Sequence, residues 1–125
     1  MANPNIVNVT TITGNTTYLT PANTTANVLL SNAASSGLVF KINQIVCANV
    51  NGSSAVNATV AINNQAAGAG TNFPVISTVS VPASASVIAV DKTTAIYLME
   101  NSSIVVTSGT SSGITYSLSY ESIAA

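Results

Sequence analysis

The chain reads as all-β, a single antiparallel β-sandwich of jelly-roll or immunoglobulin-like topology, and three observations carry that reading. Apolar and polar residues alternate with a period of two through several segments. Turn-forming clusters such as NGSS at 51–54, QAAGAGTN at 65–72 and SGTSSG at 108–113 separate those segments at short intervals. The Glu, Lys, Arg and Leu runs of surface helices are absent, whereas Thr, Val and Ile supply β-branched side chains that suit a pleated sheet.

Taken in order, residues 6–13 and 26–31 read as short strands. Residues 14–25, GNTTYLTPANTT, form a looping arm between them, so that 1–25 make an N-terminal strand and arm. From Leu38 the even positions Leu38, Phe40, Ile42, Val46, Ala48 and Val50 are apolar. That run exceeds the usual ~5–6 residues of a strand and predicts a bend or bulge near Asn43 and Gln44. Val56, Ala58, Val60 and Ile62 alternate with Asn57, Thr59, Ala61 and Asn63, the pattern of a strand with one face in the core. Phe73 to Val81 and Ile114 to Glu121 repeat the alternation, and further strands are expected at 86–91, 94–99 and 103–108. A chain of 125 residues suffices for one domain, 1–125, with its own core.

Composition narrows the function. Charged residues make up 4% of the chain, against roughly 25% in ordinary domains, and Lys41, Lys92, Asp91, Glu100 and Glu121 are all of them. With two lysines and no arginine, the chain has no footprint for nucleic acid or an anionic membrane. The N-terminus, MANPNIVNVT, lacks the basic start and apolar stretch of a secretory signal, and no run approaches the ~18 apolar residues of a membrane helix. Synthesis in a cytoplasm is the expectation. Cys47, flanked by Ile45, Val46 and Ala48, reads as a buried thiol in a strand.

The residues of catalysis are scarce. Without His there is no common general base, and Cys47 has nothing to activate it. Lys41 lies in an alternating strand, where its stem snorkels, and does not serve a nucleophilic Ser. Glu100 and Glu121 are the best candidates for paired carboxylates of glycoside hydrolysis, but Glu100 falls in the turn ENSS and the chain has no Trp platform. Asp91 has no set of acidic ligands around it for Ca²⁺. Gly68 and Gly70 are not followed by the Lys and helix of a phosphate cradle. The expectation is a protein that is not an enzyme, with no catalytic, cofactor-binding or metal site and no cofactor.

Two lysines are a thin defence for sheet edges, and SVIAVD at 86–91 and AIYLME at 95–100 are apolar on both faces. Something is therefore expected to cover them, either a closed homo-oligomer or a larger particle. A carbohydrate-binding adhesive module is the other class of reading, with Tyr18, Tyr97, Tyr116 or Tyr120 as stacking platform.

FKINQIVCANVNG, VPASASVIAVDKTTAIYLMENSSIVVTS and YSLSYESI, spanning Leu38 to Ile123, resemble a family of small virion structural proteins of tailed bacteriophages, especially phages of cyanobacteria and other aquatic bacteria. The resemblance implies a β-sandwich decoration or cement subunit on the phage capsid, or an accessory protein of the neck or tail. It implies assembly in the bacterial host cytoplasm, residence in the virion, virion proteins as partners, and a trimer as the preferred homo-oligomer. The family often carries more charge at its turn, in a form like YLEEGDS, where this chain reads YLMENSS. Docking by charge through that turn is not implied.

Overall fold

The computed structural model describes residues 4–124; part of the MANPNIVNVT segment on which the secretory expectation rests lies outside them. Among the described residues nine strands form: β1 (Thr11–Leu19), β2 (Asn27–Asn32), β3 (Leu38–Asn49), β4 (Val56–Asn63), β5 (Asn72–Val81), β6 (Ser86–Val90), β7 (Ile96–Leu98), β8 (Ser102–Ser108) and β9 (Ile114–Ala124). The only helical element among the described residues is a single 3-10 turn, Lys92–Thr94, between β6 and β7.

The first sheet runs β1-β9-β3-β6, with β7 beside β6 on the same edge of β3, and the second runs β2-β8-β4-β5. All pairings are antiparallel. The first strand pairs with the last, the second with the next to last, the third with the broken β6–β7 strand and the fourth with the fifth. That nesting is one long hairpin wound into two sheets, the jelly roll, and it decides between the two topologies left open by the sequence.

Between the sheets lie Ile42, Ile45, Cys47, Val60, Val106, Tyr116 and Leu118, all fully buried. Tyr116 reaches across the sandwich. Its hydroxyl donates to the Thr107 carbonyl at 2.5 Å and accepts from the Thr59 amide at 3.4 Å, so the one polar atom it brings into the core is satisfied.

Three expectations need correction. The looping arm is mostly strand: residues 14–19 continue β1, which keeps nine consecutive pairs with β9, and the strand begins at Thr11, not residue 6. The bulge in β3 occurs where expected, between Ile42 and Gln44, but it reverses the strand's alternation. Beyond it Ile45, Cys47 and Asn49 point inward, and Val50, read as a core position, is 56% exposed. In β4 the alternation also fails after Val60, because Ala61 and Asn63 on the outer face are as buried as Ala58 and Val60 on the inner one.

That outer burial comes from the chain itself. The β4–β5 loop, residues 64–71, folds back over the second sheet, with Ser103 Oγ donating to the Gln65 carbonyl at 2.8 Å and Ser31 Oγ to the Ala66 carbonyl at 2.7 Å. Gly68 makes the closest approach. It has φ +75°, and a Cβ there would lie 2.8 Å from Val28 Cγ2 and 3.3 Å from Val105 Cγ1. Gly68→Val is therefore expected to cost about 2 kcal/mol through left-handed strain and overpacking, read as a lowered midpoint in urea.

Candidate functional site

Three buried asparagines hold the loops around the sandwich, each the last residue of its strand. Asn32 ends β2 and donates to the carbonyls of Leu38 and Leu98, while its Oδ1 accepts from Ser36 Oγ. Asn49 ends β3, donates to the carbonyls of Ser54 and Val81, and accepts from the Asn51 amide. Asn63 ends β4, donates to the carbonyls of Gly68 and Gly70 and to Asn72 Oδ1, and accepts from the amides of Gln65 and Gly70. An amide can both donate and accept, so one side chain replaces the water that buried loop backbone would otherwise need. Apolar alternation does not single them out; an Asn at a strand end before a Gly- and Ser-rich loop is their signal.

With the second sheet roofed, the exposed outer surface of the first sheet is the candidate binding face. The registers set one row across it: Gly14 on β1 lies opposite Glu121 on β9, Glu121 opposite Lys41 on β3, and Lys41 opposite Tyr97 on β7. On one side of this row, Pro4, Ile6, Val39, Tyr97 and Met99 line an apolar groove of about 240 Å³. On the other is an open polar notch of about 420 Å³, lined by Gly14, Thr16, Asn43, Ser119 and Glu121. The bulge lifts Asn43 so that its Nδ2 donates to Glu121 Oε1 at 3.0 Å, and its Oδ1 is buried with no hydrogen-bond partner. Gly14 has open space where a Cβ would stand, which helps shape the notch.

The two glutamates are not brought together. β7 and β9 are separated by β3, about 10 Å across two inter-strand spacings, and Glu100 lies beyond the end of β7 in the turn before β8. The carboxyls of a retaining glycosidase stand ~5–5.5 Å apart. Asp91 caps the 3-10 turn, its Oδ1 accepting from the Thr93 amide and hydroxyl, and the Thr93 hydroxyl is the first cause holding its carboxyl below the usual range. Among the described residues no three His, Cys, Asp or Glu side chains cluster as metal ligands.

The remaining candidates divide between core and surface. Cys47 is fully buried, and desolvation pushes its thiol up to about 12, away from the reactive thiolate. Tyr116 is also fully buried, and Tyr120 packs its ring 5.0 Å from Phe40, so neither is a platform. Tyr18 and Tyr97 remain exposed on the outer face, at 75% and 46%. Comparison with protein-family models, curated proteins and solved structures finds no match to the chain.

Proposed function

We propose that the chain is a non-enzymatic structural subunit that docks on the outside of a tailed-phage particle, as a head decoration subunit bridging capsid proteins. The observation that carries this reading is the outer face of the first sheet. Ile6, Val7, Ile12, Tyr97 and Met99 are each about half exposed or more there or beside it, with only Lys41 and Glu121 as charges in the row between them. Soluble monomers rarely leave such a surface open, and burial against a particle accounts for it. The resemblance of Leu38 to Ile123 to phage virion proteins supplies the kind of particle; the jelly roll is compatible with it and also with lectins, so fold alone carries no function.

Quantitative mass spectrometry of purified virions tests the reading. Hundreds of copies per particle are expected for decoration, about ten for a ring at the neck or tail, and absence from particles overturns the proposal. Because the face is nearly uncharged, release of the subunit from particles is expected to change little between low and high salt. Glu100→Gln and Glu121→Gln are expected to leave particle binding intact.

The notch favours a second reading, a carbohydrate-binding module. Glu121, held by Asn43, is an acceptor for sugar hydroxyls in the notch, and Tyr18 lies on the same face. A glycan array separates the two, since specific binding lost in Asn43→Ala would place this reading first.

A further inference from the structure

We infer that the outer edge of β1 pairs with β1 of a second copy, antiparallel about a two-fold axis through Asn15. This goes beyond the docking role proposed above: it takes up the closed homo-oligomer that the sparse edge charge leads one to expect and names the surface it would use.

The two sheets have four edges, and three of them are broken or guarded. β5 contains Pro74 and a left-handed Thr78, φ 46°, within its register shifts. The β6–β7 edge is interrupted by the 3-10 turn with Asp91 and Lys92. β2 has six residues and a bulge at Leu29. β1 alone is nine residues long, regular throughout, and free of Pro, bulge and charge. Half of its backbone donors and acceptors point away from β9, the state that recruits another strand. Of the described N-terminal residues, Pro4 and Ile6 lie in the groove with Val39 and Tyr97, across the sheet from this edge.

The side chains select the second copy as occupant. Ile12, Gly14, Thr16 and Tyr18 face outward, opposite Ile123, Glu121, Ser119 and Ser117 of β9. A dyad perpendicular to the sheet keeps both outer faces on one side and demands that paired residue numbers sum to an even value. Centred on Asn15, it sets Ile12 against Tyr18, Thr13 against Thr17 and Asn15 against itself. Ile12 and Tyr18 are 54% and 75% exposed in the single chain, and each gains one apolar partner, the contact forming twice in the pair. Moving the centre to Gly14 sets Ile12 against Thr16 and Tyr18 against Thr10, and moving it to Thr16 sets Ile12 against Thr20 and Tyr18 against Gly14, so either shift loses both contacts. The strand is therefore complementary to itself, and the resulting state is a dimer, not the threefold ring that the resemblance implies.

A nine-residue edge is a small contact beside the ~1,200–2,000 Å² of standard interfaces, so a dissociation constant on the order of 100 µM is expected for the isolated pair. Sedimentation of the intact protein up to about 1 mM reads it. Wild type is expected to shift from monomer to dimer, and Tyr18→Lys to weaken the dimer about tenfold or more, by removing both aromatic contacts. Asn15→Cys is expected to form a disulfide-linked dimer on mild oxidation, while Ser53→Cys, exposed in the β3–β4 loop, is not. Cys47 is buried and stays out of the exchange. A monomer throughout the range, a trimer, a dimer indifferent to Tyr18→Lys, or equal cross-linking of the two cysteine variants overturns the inference. These results do not depend on whether virions carry the protein, which the copy count decides separately.

Discussion

Asn63→Leu is expected to destabilise the protein by about 3 kcal/mol, a large share of the ~5–15 kcal/mol that holds a domain of this kind folded. The side chain is fully buried and makes five hydrogen bonds, to the carbonyls of Gly68 and Gly70, to Asn72 Oδ1, and from the amides of Gln65 and Gly70. Leucine has similar bulk and none of these bonds, and each backbone group left buried without a partner costs ~1–3 kcal/mol. The full sum is not reached, because the loop can lift and let water in. Lifting has its own cost: it uncovers Val105 and Ala61, which the loop shields on the outer face of the second sheet. Two measurements check this, the urea midpoint and the rate of proteolytic cutting within residues 64–71, and both should change. Asn63→Asp should be at least as damaging, since a carboxylate keeps the acceptor but presents charge to the carbonyls of Gly68 and Gly70. A loss below ~1 kcal/mol in both variants would show that water replaces the amide without penalty.

The same asparagine marks how far the sequence could be read. Alternation identified the strands because each sheet has an inward face that must be apolar, and that requirement is visible in Val56, Ala58 and Val60 without any knowledge of partners. It identified the bulge near Asn43 by the length of the run but not its consequence, the reversal that turns Ile45 and Cys47 inward. A uniform apolar run such as QIVCANV carries either phase equally well. TITGNTTYL resembles a loop in part because β1 is an edge strand with little burial, so the sandwich asks almost nothing apolar of it. Its partner residues are 97 to 113 positions away in β9, beyond the reach of any local pattern. The notch was illegible for the same reason: Gly14, Asn43 and Glu121 meet only through the register of three strands. The roof over the second sheet adds a further term that alternation does not carry: Val105, on the outer side of β8, is covered by residues 64–71 of the same chain, a contact set by how the loop folds back.

Stability is expected to fall steeply in alkali while changing little in acid, the opposite of the acid sensitivity that paired carboxylates give most proteins. Desolvation raises the Cys47 thiol from 9.0 to about 12 in the folded protein, and Tyr116, beside it across β3 and β9, is raised first by desolvation and then by the thiolate charge. Both groups hold their protons longer folded than unfolded. The stabilisation they give is complete below the unfolded values and is lost as pH rises through the folded ones, so the decline starts near pH 9 for Cys47 and about one unit higher for Tyr116. Each group titrating only in the unfolded chain removes ~1.4 kcal/mol per pH unit, so the thiol alone accounts for about 4 kcal/mol by pH 12. On the acid side Asp91 has the opposite sign, its folded carboxyl being the more acidic, so its contribution is present above its unfolded value of 3.8 and lost below it. That group is fully exposed, and the chain has only two other carboxylate side chains. Thermal melts from pH 3 to pH 11 should therefore show a plateau followed by a drop beginning near pH 9. Cys47→Val should delay the drop to the onset set by Tyr116, whereas Tyr116→Phe should remove the steeper second part after a loss of about 1 kcal/mol at neutral pH from the hydrogen bond to Thr107. A melting temperature that stays level to pH 11 in the wild type would mean that water reaches the thiol and the phenol, and that the middle of the sandwich is less closed than its packing implies.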